Sequence, residues 1–149
     1  MKNLLIALCL MAPSLSMASD YLFEAGHYRK GSAEVIIADL GDGRTQSLKV
    51  ISKGKTILDG RLNRDAFAVA KFKMSFFSSS KSCHSSTSNV TDMNGFISAS
   101  CFPKDREMIN VKIDQTKNKL SIWLSQLDGG LVGDYQTKDS IVAKDLVRK

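Results

Sequence analysis

Beyond residue 20 the apolar positions recur with period two along much of the chain. Ile109, Val111 and Ile113 alternate with Asn110, Lys112 and Asp114, and Leu120, Ile122 and Leu124 alternate with Ser121, Trp123 and Ser125. Successive side chains of a strand point to opposite faces, so each run predicts a strand with one apolar and one polar side. The polar stretch 115–118 between them has the length of a hairpin connection, and the pair predicts an antiparallel hairpin.

Further strands are expected over 21–28, 33–40, 46–53, 56–62 and 96–102, the last with Ile97, Ala99 and Cys101 on one face. Lys30-Gly31-Ser32, Gly41-Asp42-Gly43 and Lys53-Gly54-Lys55 read as the turns between them. Turns at such short intervals predict an all-β chain, a small antiparallel sandwich or barrel. Two segments fit either element type. Residues 65–77 make a strand with Ala66, Ala68, Ala70, Phe72, Met74 and Phe76 on one face, or a short helix presenting Phe67, Ala70, Met74 and Phe77; the strand is favoured. Residues 140–147 are equally ambiguous. The Ser/Thr-rich stretch 78–94 reads as a long loop, and no internal repeat or second domain is visible.

The first 18 residues follow another logic. Lys2, an apolar run from Leu4 to Ala12 and the small-x-small triplet Ser16-Met17-Ala18 form a secretory signal pattern. The run is too short to span a bilayer as a helix, which takes about 20 residues. Cleavage after Ala18 is expected, leaving 19–149 as one domain in the periplasm or secreted, with no membrane-spanning segment.

Export reorganises the three cysteines. Loss of Cys9 leaves Cys83 and Cys101 in an oxidising compartment, where a structural disulfide is the expectation. A bridge closing a loop of that size stabilises by about 3 kcal/mol through the unfolded chain. A catalytic Cys83 with His84 as base is disfavoured, because chain neighbours seldom meet in the required geometry.

Candidate chemistry fails residue by residue. Gly54-Lys55-Thr56 ends like a phosphate-binding loop, but Lys49 stands where the first glycine belongs. Gly129, Gly130 and Gly133 fall short of a dinucleotide fingerprint, with Asp128 in the first glycine's place. His27 and His84 are the two histidines and belong to no metal motif, so no metal or cofactor is expected. There is no Gly-x-Ser-x-Gly elbow, and Glu24, Glu34 and Glu107 have no spacing that pairs carboxylates. The chain reads as a non-enzyme.

Charge leaves a surface to consider. The net +6 concentrates between residues 44 and 73, where eight Lys and Arg face two Asp. Arg44, Lys49, Lys53, Lys55 and Arg61 are therefore candidate contacts for a protein partner with an acidic face, or cations that guard strand edges. Nucleic acid is not expected, since stacking aromatics are not interleaved with these charges. Trp123 lies opposite its strand's apolar face, as an exposed anchor or part of a second packed layer. His84 and Ser85 in 78–94, and Asp128 in the stretch 127–134, are candidate probe-loop contacts. The resulting expectation is an exported inhibitor or immunity protein that occludes a cell-wall-degrading enzyme or toxin. The alternative is an assembly subunit of a pilus or secretion system, or an adhesin-like module, with edge pairing or a homodimer.

Overall fold

A computed structural model describes residues 20–64, 66–74, 83–86, 95–104, 107–129 and 134–149, with only the backbone at 83–86, 104 and 135. The expected signal segment 1–18 lies outside the described residues. Among them, ten strands follow in chain order: β1 (Gly26–Lys30), β2 (Ala33–Asp39), β3 (Gln46–Ser52), β4 (Lys55–Leu62), β5 (Ala66–Phe72), β6 (Cys83–Ser86), β7 (Phe96–Lys104), β8 (Glu107–Thr116), β9 (Lys119–Gly129) and β10 (Tyr135–Arg148).

All pair antiparallel in one sheet of order β6-β5-β4-β3-β2-β1-β10-β9-β8-β7. Each strand neighbours the next in sequence, and β1 pairs with β10 through Tyr28–Arg148 and Arg29–Val147. The two remaining edges, β6 and β7, lie against each other, so the sheet is a nearly closed barrel with its seam there. The 115–118 connection tightens to a two-residue turn with Lys117 at φ 56°, and Lys53 and Gly54 turn the β3–β4 hairpin with φ of 49° and 73°.

The interior is packed with side chains. Tyr28, Val35, Ile37, Leu48, Val50, Leu58, Phe67, Phe72, Ile97, Ile109, Ile113, Ile122 and Leu124 are all buried on the inner face. Outward positions of β7–β9 carry Ser98, Ser100, Asn110, Lys112, Asp114, Ser121 and Ser125. This apolar-in, polar-out alternation is the reverse of a membrane-crossing barrel. Among the described residues no helix is long and apolar enough to cross a membrane.

One end of the barrel is filled by residues 20–25, expected to open the first strand. They run instead as irregular chain across the mouth, with Leu22 and Phe23 buried. Gln46, itself 0% exposed, holds them: its Oε1 accepts the Phe23 N–H (3.1 Å), and its Nε2 donates to the Phe23 carbonyl (2.7 Å) and to Asp39 Oδ1 (2.8 Å). Gln115 takes the other side, accepting the Glu24 N–H at 2.9 Å and donating to the Tyr28 hydroxyl, which donates to the Glu24 carbonyl. Burial pushes the Tyr28 phenol above its ordinary pKa, against the opposing pull of Arg148. Gly95 completes the closure, donating to the Leu22 carbonyl (2.7 Å) and accepting from Gln115 N (2.6 Å). Its φ of 100°, and the 2.6 Å that would separate an added Cβ from the Gln115 carbonyl oxygen, require glycine there.

Both ambiguous segments are strands: the favoured strand reading of 65–77 holds as β5 over the described part, against the helical option, and 140–147 is strand within β10. Two expectations are corrected. The inward face of β5 carries Phe67, Val69 and Phe72, not the even-numbered set, because a bulge opposite Asp59–Gly60 shifts the alternation. The larger odd-numbered side chains fill the core, and the shift returns Phe72 to it. The stretch 78–94 is interrupted by β6, which pairs with β5; Phe76 and Phe77 lie outside the described residues.

Replacing Gln46 by Ala strands the buried Phe23 amide and opens a void. A loss of about 2–3 kcal/mol is expected, lowering Tm by roughly 5–12 °C in thermal melts. Ala at the outward Lys49 is expected to stay within about 0.5 kcal/mol.

Candidate functional site

The basic stretch is sorted by the sheet into different places. Lys49, Asp59 and Lys71 form one outward row across β3, β4 and β5, and Ser47, Arg61 and Ala68 form the next. Strands are about 4.8 Å apart, so the two lysines flank Asp59 and stand beside Arg61. Between these rows lies a shallow depression lined by Leu40, Ser47, Asp59, Gly60, Arg61, Ala68, Val69 and Ala70. Its depth comes from the small residues Ser47, Gly60, Ala68 and Ala70, with Leu40 44% exposed at the rim. Gly60 is obligatory: a Cβ there would lie 2.7 Å from the Ala68 carbonyl oxygen.

Lys53 and Lys55 sit at the β3–β4 turn, beyond the Lys49 end of this face. Arg44 is at the opposite end, in the β2–β3 loop. There Asp42 Oδ1 accepts the N–H groups of Thr45 (2.6 Å) and Arg44 (2.9 Å). Its carboxyl is held down at about 2, chiefly by the Thr45 side chain and then by these backbone donors. Arg64 is committed to the closure, with Nε 2.8 Å from Asp20 Oδ1.

Of the remaining candidates only His84 and Ser85 come beside this face, in the backbone register. His84 pairs in register with Ala68 and so borders it in the backbone, and Ser85 pairs with Phe67. Asp128 lies near the end of β9, paired to Lys138 at 2.5 Å. Part of the expected 127–134 loop is strand, since β9 continues to Gly129. Trp123 is on the outer face of β9, half-buried, with no second layer over it among the described residues. The Lys112 ammonium sits 4.9 Å from its ring centroid and 5.5 Å from that of Phe96.

No family model matches the chain, and neither curated proteins nor solved structures give a match. The reading therefore rests on the residues themselves.

His27 is on the outer face of β1 with Nε2 2.9 Å from Glu34, whose other oxygen takes Arg29 at 3.0 Å. Among the described residues no three His, Cys, Asp or Glu side chains gather as a metal site would require. Two features were missed by sequence reasoning: the depression and the Phe96–Lys112–Trp123 group. Periodicity puts Lys112 and Trp123 on polar strand faces, but only cross-strand register, Lys112 opposite Trp123, brings them together.

Proposed function

We propose that this is an exported, non-catalytic binding protein that docks an acidic protein partner on the outer face of β3–β5. The observation that carries the reading is the outward group Lys49, Arg61 and Lys71, with Asp59 between the two lysines, beside a depression lined by Asp59, Arg61 and Leu40. A cationic rim steers an acidic surface during encounter, and a depression gives one apolar side chain a place to anchor. The inward side chains of the strands form one buried apolar cluster, which turns attention to the outside. An inhibitor or immunity protein for an acidic cell-wall-degrading enzyme or toxin fits a rigid barrel used as an obstruction. The signal pattern in 1–18 supports export to the periplasm or beyond.

A Cys83–Cys101 disulfide belongs to the same proposal. Cys83 is on edge strand β6, in register with the buried Val69, and Cys101 is buried on edge strand β7. Among the described residues the two strands lie against each other without strand pairing, so a bridge would add a covalent link across the seam.

For the mature protein exported in cells, thiol titration in denaturant should find no reactive cysteine. The Cys83→Ser/Cys101→Ser pair should cost about 3 kcal/mol in urea unfolding. Two titratable thiols would refute the bridge.

The docking reading is tested by adding the mature protein to a panel of acidic muralytic enzymes and following lysis of cell-wall suspensions. Stoichiometric inhibition of at least one enzyme is expected. Lys49→Glu/Arg61→Glu/Lys71→Glu should weaken it at least tenfold, and raising salt should weaken the native pair. Inhibition of none, or inhibition indifferent to the triple change, sinks the reading.

A further inference from the structure

We infer that the partner's anchoring residue on the β3–β5 face is an arginine framed by carboxylates, and that Asp59 selects it. This rests on the docking of an acidic partner proposed above, and gives the chemistry of the group that enters the depression. Asp59 is the odd residue of a basic face. Its Cα partners are Lys49 on β3 and Lys71 on β5, so it stands between two lysines in one outward row. Arg61 follows two residues along β4, on the same face. Cross-strand neighbours of opposite charge ordinarily pair. Here they do not: among the described residues the ion pairs lie elsewhere, on Asp20, Glu24, Glu34 and Asp128, and none joins Asp59 to Lys49, Arg61 or Lys71.

The carboxylate is left where a partner meets it. Asp59 lines the depression, a volume of about 370 Å³, together with Arg61, Leu40, Gly60, Ala68 and Ala70. It is half-buried, whereas Arg61 and Lys71 are exposed. An aspartate side chain is short and those of lysine and arginine are long. The face therefore has an anionic group low in its surface, with three longer cations standing around it.

Charge complementarity then chooses the occupant. A wholly anionic ligand, such as a phosphate or sulfate polymer, would satisfy the three cations but press like charge onto Asp59. A purely apolar side chain would cover the carboxylate without replacing its hydrogen bonds to water, which is costly. An arginine meets both demands. Its methylene stem would lie along Leu40 and Ala70, and its guanidinium would donate a forked pair of hydrogen bonds to Asp59. Carboxylates on either side of that arginine would meet Lys49, Lys71 and Arg61. Alternation of sign at this spacing is available to a folded protein surface and not to a uniform polyanion, so Asp59 acts as a specificity-determining residue.

The probes are three capped pentapeptides, Glu-Ala-Arg-Ala-Glu, Glu-Ala-Leu-Ala-Glu and Glu-Ala-Glu-Ala-Glu, whose alternate residues share one face when extended. Each is titrated at low salt into the ¹⁵N-labelled mature protein. The amide signals of Asp59, Gly60 and Ala68 should shift saturably with the arginine peptide, and binding of the other two should be weaker by roughly fivefold or more. Asp59→Asn should abolish the preference, and Asp59→Glu, which keeps the charge, should retain it. On heparin–agarose, Asp59→Asn should elute at higher salt than Asp114→Asn, which makes the same change of charge on β8. Signals unmoved by the arginine peptide, equal binding of all three, a preference that survives in Asp59→Asn, or co-elution of the two Asn variants would overturn the role of Asp59. Enzyme inhibition that survives Asp59→Asn would also overturn it while leaving the docking face in place. Arginine-selective peptide binding with no enzyme inhibited would support it and remove only the obstruction of a muralytic enzyme.

Discussion

The buried Gln46 side chain is the interaction on which the closed barrel depends. A sheet curled on itself leaves two open ends, and apolar side chains facing inward near an open end would meet water. Here a short irregular segment covers one end, and irregular backbone brings polar N–H and C=O groups into a place without solvent. Gln46 answers both groups of Phe23 with one amide, while Gln115 and Gly95 take their neighbours. The arrangement allows Leu22 and Phe23 to enter the core without an unsatisfied backbone bond at Phe23.

With the core so filled, the outside divides into regions of different chemistry. The β3–β5 face carries Lys49, Arg61 and Lys71 around Asp59 and is indented where Ser47, Gly60, Ala68 and the bulge residue Ala70 leave little bulk. The outer face of β7–β9 carries Ser98, Ser100, Asn110, Ser121 and Ser125 around the Phe96–Lys112–Trp123 group. Between them β1 and β2 carry the His27–Glu34–Arg29 group, an exposed ion-pair arrangement of the kind that adds little to stability. A single sheet thus presents outer faces of different charge and side-chain size.

Much of the fold was legible because period-two alternation is a direct consequence of strand geometry. The β8–β9 hairpin follows from the pattern, while its register, with Ile109, Val111 and Ile113 opposite Gln126, Leu124 and Ile122, is set by a turn two residues shorter than expected. The pattern failed where that geometry is interrupted. Residues 20–25 look like strand because Tyr21, Leu22 and Phe23 are apolar or aromatic, yet their partners are the distant side chains of Gln46 and Gln115. The β5 face was misassigned because a bulge changes phase without a marker residue in β5 itself. Candidate contacts fared likewise: Lys49 and Arg61 do share a face, but Arg44 lies at the plugged end and Asp128 is held by Lys138. Linear clustering of charge carries no information on which strands stand side by side.

In the proposed reading, an apolar-filled, nearly closed barrel places recognition on its outer faces. The most direct measurement is titration of the mature protein with a fluorescent fatty acid and with an apolar dye, read by emission and by iodide quenching. The account predicts no saturable, quencher-protected binding by the native protein, with dye uptake appearing only as the barrel melts. Stoichiometric binding of either probe, shielded from iodide below the melting transition, would mean that the interior accepts ligand and would contradict it.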